Sequence, residues 1–230
     1  MLRYSSDMSA HPWPLFDLRL TTPRLELRLP TDDDLLELVG VARRGVMEQG
    51  QTFFAVPWHE LPSPAFERQF LLHWWAARGS WSPQAWTIGF AVVVEGRPIG
   101  IQDMMARDFR VRRTVVTASW IGRQYQGQGY GTEMRAAVLT LAFDGLGADV
   151  AESGYFPGNA ASARISEKLG YSPNGEDVWV VSGKRAVEQR LLLGRESWRR
   201  DLTPVRIEGL EPCLKLFGVG DLGPDEWAAF

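Results

Sequence analysis

Apolar and charged residues alternate along TTPRLELRLP (21–30), where Leu25, Leu27 and Leu29 are separated by charged neighbours; this predicts a half-buried strand. TDDDLLELVGVARRG (31–45) then takes on helical character. Thr31 is placed to cap it, and Asp32 to Asp34 suit the positive end of a helix dipole. Residues 46–63 are irregular and aromatic, and a second helix is predicted over 64–77. WTIGFAVVV (86–94) and PIGIQDMMA (98–106), joined by EGR, predict a hairpin. RDFRVRR (107–113) reads as a basic loop and TVVTASWIG (114–122) as a further strand. Met134, Val138 and Leu141 carry a helix to about residue 146. ADVAESGYF (148–156) reads as a strand and NAASARISEKLG (159–170) as a short helix with Gly170 as its stop. Two more strands are predicted near 172–182 and 185–194.

Residues 1–14 read as a flexible leader, 15–200 as the domain, and 201–230 as a C-terminal extension. That extension is rich in apolar residues but has little periodicity, and it either caps the domain or completes a subunit contact. The element order predicts an α/β fold: a mixed, mostly antiparallel twisted sheet with one central βαβ unit and flanking helices. It lacks the repeated alternation of a doubly wound sheet.

Between the strand at 114–122 and the next helix stands RQYQGQGYGTE (123–133), with Gly127, Gly129 and Gly131. Glycine costs entropy and weakens a helix, so bare backbone is wanted there. The first N–H groups of a helix have no intrahelical acceptor, and the dipole favours an anion beside them. A phosphate or pyrophosphate site follows, with a plain tight turn as the alternative. A dinucleotide fold is a third reading, and Asp149 lies at a suitable distance for it. GQGYGT, however, has Thr132 where GxGxxG requires its last glycine, and the preceding strands look antiparallel.

A second polar group lies on the helix from Asn159. Asn159, Ser162 and Ser166, spaced by three and four, share one face beside Ile165 and Leu169. Asn159 is equally suited to be an N-cap. The βαβ unit makes the strands at 114–122 and 148–156 parallel neighbours, so the glycine turn and this helix start share one sheet edge.

Composition narrows the chemistry. The net charge of −3 argues against nucleic acid. One cysteine, Cys213, and three scattered histidines, His11, His59 and His73, give neither a disulfide nor metal-ligand spacing, so no metal is expected. No apolar run reaches the length of a membrane span, and the N-terminus lacks a signal-peptide stretch; a cytoplasmic protein without membrane contact is expected.

Together these segments resemble the GNAT superfamily of N-acyltransferases. Its Q/R-x-x-G-x-G/A motif appears as Gln124, Gly127 and Gly129. WIGRQYQGQGYGTE and NAASARISEKLGY resemble the RimJ/RimL-type branch, the latter at Asn159, Ser162, Glu167, Lys168, Gly170 and Tyr171. TTPRLELR is similar to that branch's first strand, and the leader and FAVPW segments to an actinobacterial subgroup. The resemblance spans about residues 20–195.

It implies an acyl-CoA donor, acetyl-CoA or alternatively succinyl-CoA, and transfer to an amine, either a small molecule or a protein N-terminus. It implies that the backbone of Gln126, Gly127, Gln128, Gly129, Tyr130, Gly131 and Thr132 holds the pyrophosphate. Ile121 and Gly122 would pair with the pantetheine amides, with Asn159 and Ser162 beside the arm. A homodimer is common in the branch. Many members place a tyrosine at the position of Ser166, where it protonates the departing thiolate; here Ser162 or Ser166 offers a hydroxyl instead. That departure keeps open a non-catalytic CoA-binding module. A base for the amine is sought among carboxylates: Asp103, Glu152 and, third, Glu176. Phe53, Phe54, Trp58 and His59 lie where the superfamily shapes its acceptor pocket, and are equally suited to an ordinary core. Arg107, Arg110, Arg112 and Arg113 form the strongest basic cluster, suited to an acidic acyl group, the CoA 3′-phosphate or RNA, although such a cluster is more often a solvated loop.

Overall fold

The computed structural model describes residues 11–48, 51 and 53–220; the first ten residues of the leader and residues 221–230 of the extension lie outside it. Nine strands form one sheet: β1 (Arg19–Thr21), β2 (Glu26–Arg28), β3 (Ala85–Val94), β4 (Arg97–Arg107), β5 (Thr114–Ile121), β6 (Val150–Tyr155), β7 (Ser172–Val181), β8 (Lys184–Gly194) and β9 (Arg206–Glu208). Their spatial order is β7-β8-β6-β5-β4-β3-β2-β1-β9. All neighbours are antiparallel except β5 and β6, the two arms of the expected βαβ unit. The helices are α1 (Asp32–Arg43), α2 (Ala65–Gly79), the one-turn α3 (Phe109–Arg112), α4 (Tyr130–Thr140) and α5 (Ala160–Leu169).

Both sheet faces are covered in the middle, which is why β3 is buried almost along its whole length. Ile88, Phe90 and Val92 join the core under α4, with Met134 and Val138. Ala91 and Val93 join a second core under α1 and α2, with Leu35, Leu38, Phe66, Phe70 and Trp74. The Trp74 indole packs against β3 at Gly89, where an added Cβ would stand 2.1 Å from Cζ3. Gly89→Ala should therefore overpack the site and cost about 1–3 kcal/mol; an unchanged urea midpoint would show that Trp74 can yield.

α1 starts as expected. Thr31 accepts from the Asp34 N–H while Asp34 accepts from the Thr31 N–H, a reciprocal capping box. Gly170 ends α5 at φ +100, and a Cβ there would meet the Ser197 carbonyl at 2.6 Å.

Three expectations are corrected. The strand predicted over 21–30 shrinks to β2, Glu26–Arg28, because Thr22 turns the chain with its N–H on the Leu25 carbonyl, and the unpredicted β1 ends just before at Thr21. The basic loop at 107–113 contains α3, flanked by Asp108 and Arg113 at positive φ. The α4 helix ends at Thr140 and passes into a π turn, Leu141–Gly145. In the described part of the extension, where no element was predicted, β9 adds to the edge of β1, and a 3₁₀ turn, Glu211–Phe217, buries Cys213, Leu216 and Phe217. Phe217 packs on Trp81 and Trp86, whose indole N–H groups donate to the Leu216 and Phe217 carbonyls. A three-residue strand and a 3₁₀ turn have too little period to be read in sequence.

Candidate active site

The β5–β6 ladder ends early. Its last pair is Val116 with Glu152; beyond it the two strands part into a fork. Ser153 and Thr117 bridge the root of the fork, each through its hydroxyl to the other strand's carbonyl. β5 then runs on through Ala118 to Ile121, and the glycine turn follows at the mouth. Ile121 and Gly122 are buried there. A Cβ on Gly122 would stand 2.5 Å from Val41 Cγ1, so α1 closes tightly behind the turn.

The turn is built as a cradle. Gly127 and Gly129 adopt φ of +75 and +86, which side chains disfavour. Gly129 caps α4 without a capping side chain. Among the described residues, no acceptor takes the N–H groups of Gly127, Gln128, Gly129, Tyr130 or Gly131. Five successive free donors at a helix N-terminus make an anion site. Thr132 donates instead to the Gly129 carbonyl. Gln126 lends its side chain to structure, donating to the Val46 and Ile121 carbonyls at 2.8 and 3.0 Å. The exposed Gln124 accepts from Gln128 Nε2 at 3.1 Å.

Sequence reasoning missed one cation here. Arg24, from the β1–β2 turn, donates to the Gln128 carbonyl at 2.9 Å and lies over the Tyr130 ring at 4.7 Å. Its Nε donates to Glu133 at 2.7 Å, and Glu133 also accepts from Thr22 at 2.6 Å. The buried Glu133 thus ties the first hairpin to the first turn of α4 and leaves a half-exposed guanidinium beside the cradle. The two partners lie 109 residues apart, and nothing local in the sequence couples them.

Asn159 is the N-cap of α5: its Oδ1 accepts from the Ser162 N–H at 3.1 Å. Both sit half-buried. Ser166 is 1% exposed and accepts from Arg135 of α4 at 3.2 Å. The Arg135 guanidinium, itself buried, also donates to Ser153 and Ser119, so it fills the α4 side of the fork with hydroxyl partners. Burial lowers its pKa.

The opposite sheet face is open at the fork. Asp103 of β4 stands beside Ala118, which is exposed. The Asp103 Oδ1 is buried and has no hydrogen-bond partner. Burial alone pushes its carboxyl up to about 8. Glu152 lies on the same face at the root of the fork, opposite Leu192 of β8. The fold thus brings Asp103 and Glu152 to one face, with Ser166 and Arg135 on the other. Glu176 is on the outer strand β7, bound by Gln189 at 2.7 Å.

Trp120 closes the α1–α2 side of the open face, in ring contact with Trp58 at 5.5 Å and Phe70 at 6.1 Å. Phe53, Phe54 and His59 line a shallow recess with Val181 and Ser182, so the aromatic segment meets the end of the β7–β8 hairpin. Burial lowers the His59 pKa. The basic cluster lies elsewhere: it precedes β5, whereas the glycine turn follows it, roughly 25 Å away at ~3.3 Å per residue. It therefore cannot serve the cradle.

The description "Acetyltransferase (GNAT) domain" matches residues 24–172, from Arg24 past the end of α5. The chain belongs to the GNAT acetyltransferase family. Solved structures agree in fold. A GCN5-related N-acetyltransferase from Brucella melitensis superposes with a TM-score of 0.64 at 21% identity, covering 78% of this chain and 80% of its own. A Vibrio cholerae protein described as a ribosomal-protein-serine acetyltransferase gives 0.59 at 22%, covering 76% and 97%. The spermidine N-acetyltransferase of Vibrio cholerae, in complex with CoA and spermine, gives 0.57 at 16%, covering 76% and 97%. Among the described residues of this GNAT chain, no helix is long and apolar enough to cross a membrane. They contain no group of three or more His, Cys, Asp or Glu placed to hold a metal ion.

Proposed function

We propose that this GNAT protein transfers an acetyl group from acetyl-CoA to a primary amine, with Asp103 as the general base. The observation behind this reading is that one fork carries both required ends. Free N–H groups suited to a pyrophosphate stand at its mouth, and an ionisable carboxyl without a partner stands near its root. Ala118 lies four residues before Gly122, roughly 13 Å along the strand, a suitable span for an extended arm.

The bound thioester supplies an electrophilic carbonyl and a thiolate leaving group. The protein's part is to bind and to move protons. Gly127 to Gly131 hold the diphosphate, with Arg24 beside them. Ile121, Gly122, Asn159 and Ser162 line the path of the arm. An amine attacks only when neutral, and Asp103, poised near pH 8, accepts its proton. The thiolate leaves towards the α5 side, where Ser166 and Arg135 form a polar, electropositive wall.

Acetyl is preferred to succinyl because a carboxylated group needs a free cation at the acyl end. Arg190, on the open face, is already paired with Asp177 at 3.4 Å, and Arg135 is buried on the other face behind Ser119, Ser153 and Ser166. Within the family we place the chain with the RimJ/RimL-type branch, on the Gln124–Gly129 and Asn159–Tyr171 segments. Exposed Val178 and Val180 on the edge strand β7, 60% and 76% exposed, support a homodimer.

Release of free thiol from acetyl-CoA, followed across an amine panel, tests the reading. Amine-dependent release is expected, together with a thermal shift on adding acetyl-CoA. A shift without release under any amine would favour the CoA-binding module instead.

A further inference from the structure

The open face past the fork carries a carboxyl that proton transfer does not use. Glu188 of β8 leans across β6 at Gly154, where a Cβ would stand 2.5 Å from its Oε1. Glycine is what lets it reach towards the fork. Trp179 Nε1 donates to the other oxygen, Oε2, at 2.9 Å, which fixes the carboxyl's orientation. Oε1 takes no hydrogen bond from any described residue. Glu188 is half-buried, and burial raises its pKa.

The floor between Asp103 and Glu188 is formed by small residues, Ala118 and Gly154, on the same sheet face. Their strands β4 and β8 are three strand spacings apart, about 14 Å between backbones before the fork widens them. Both side chains shorten that gap. Glu152 adds a further negative group at the root, and Arg190, opposite Gly154, divides its charge between Glu188 and Asp177, hydrogen-bonding only Asp177, at 3.4 Å. A half-buried carboxylate costs desolvation unless a cation meets it. Proton abstraction needs a single base, and Asp103 supplies it.

We infer that Glu188 selects acceptors carrying a second positive charge, α,ω-diamines or longer polyamines, by binding the distal ammonium at Oε1 while the reacting nitrogen lies at Asp103. This rests on the acyl-transfer reading above. It assigns the acceptor's two ends to opposite sides of the fork, across the Ala118–Gly154 floor. An amine without the distal charge would leave Glu188 Oε1 without a hydrogen-bonded cation.

The test is steady-state acetylation of an α,ω-diaminoalkane series and of n-alkylamines of matching length, by wild type and Glu188→Gln. Glutamine keeps an acceptor for Trp179, and an unchanged acetyl-CoA thermal shift confirms the fold. The diamine KM should rise by about tenfold or more, as for the loss of a charged hydrogen bond. The monoamine KM and both kcat values should stay unchanged. Glu188→Asp, with the charge kept at shorter reach, should move the preferred diamine to a longer chain. Equal KM increases for both amine types, or no change in either, would overturn the role of Glu188 and leave acyl transfer standing. Acetylation of no amine by the wild type would overturn both.

Discussion

Asp103→Asn is expected to lower kcat by about 10²–10⁴-fold, the usual worth of a positioned base, without changing the KM for acetyl-CoA. Asparagine fits the same space and cannot accept the proton. The wild-type rate should rise with pH along a limb centred near 8, where the Asp103 carboxyl ionises. At pH 6 only about one site in a hundred would be ionised. The limb should vanish in the variant.

Stability should move the other way. The folded carboxyl titrates near 8 and the unfolded one near its ordinary acidic value, so between them the folded state holds the extra proton. Stability contributed by Asp103 is therefore full below the unfolded value and falls as pH rises through about 8. Asp103→Asn should remove that slope and be the more stable protein above pH 8, read by urea denaturation at several pH values. An unchanged kcat with an intact acid limb would transfer the role of base to another group, Glu152 first.

Gly129→Val should abolish useful donor binding, raising the Kd for CoA by about 100-fold or more, equal to losing two hydrogen bonds to a charged group. Gly129 sits at φ +86, and its added Cβ would stand 3.2 Å from Arg24 Nη2, beside the row of free N–H groups. The same φ means that valine also strains the backbone, by about 1–3 kcal/mol. Gly96→Val separates the two effects. Gly96, in the β3–β4 turn, has φ +78 and open space around its Cβ, so it carries the strain far from the cradle. Isothermal titration of both variants with CoA should show weak binding only for Gly129→Val. Equal affinities would mean that the cradle holds no phosphate.

Much of the fold was legible because its signals are local. The hairpin β3–β4, the strand–glycine–helix passage and the cap and stop of α5 rest on residues within a few positions of one another. Thr31 with Asp34, and Asn159 with Ser162, are cap pairs three apart. Positive φ at Gly127 and Gly129 is the backbone freedom that their identity advertised. The order of elements also fixed which strands run parallel, and so that glycine turn and α5 share an edge.

The candidate site was legible only in part. Asp103 was one carboxylate among several in the sequence. Its burial, its unpartnered oxygen and its place beside an exposed alanine come from strands β3 to β6 and the edges of α1 and α2. Arg24 and Glu133 meet across 109 residues. Ser166 was read as facing a ligand, and the fold gives it a buried arginine as neighbour.

The sequence by itself determined the elements, the single βαβ crossover and a bare-backbone anion site, because periodicity, capping and glycine conformational freedom act over a few residues. The tertiary structure alone decided where the sheet forks and which carboxyls face the opening. It also decided which of them lose water without gaining a partner. Desolvation and pairing depend on everything packed around a group, and most of those neighbours are remote in the chain.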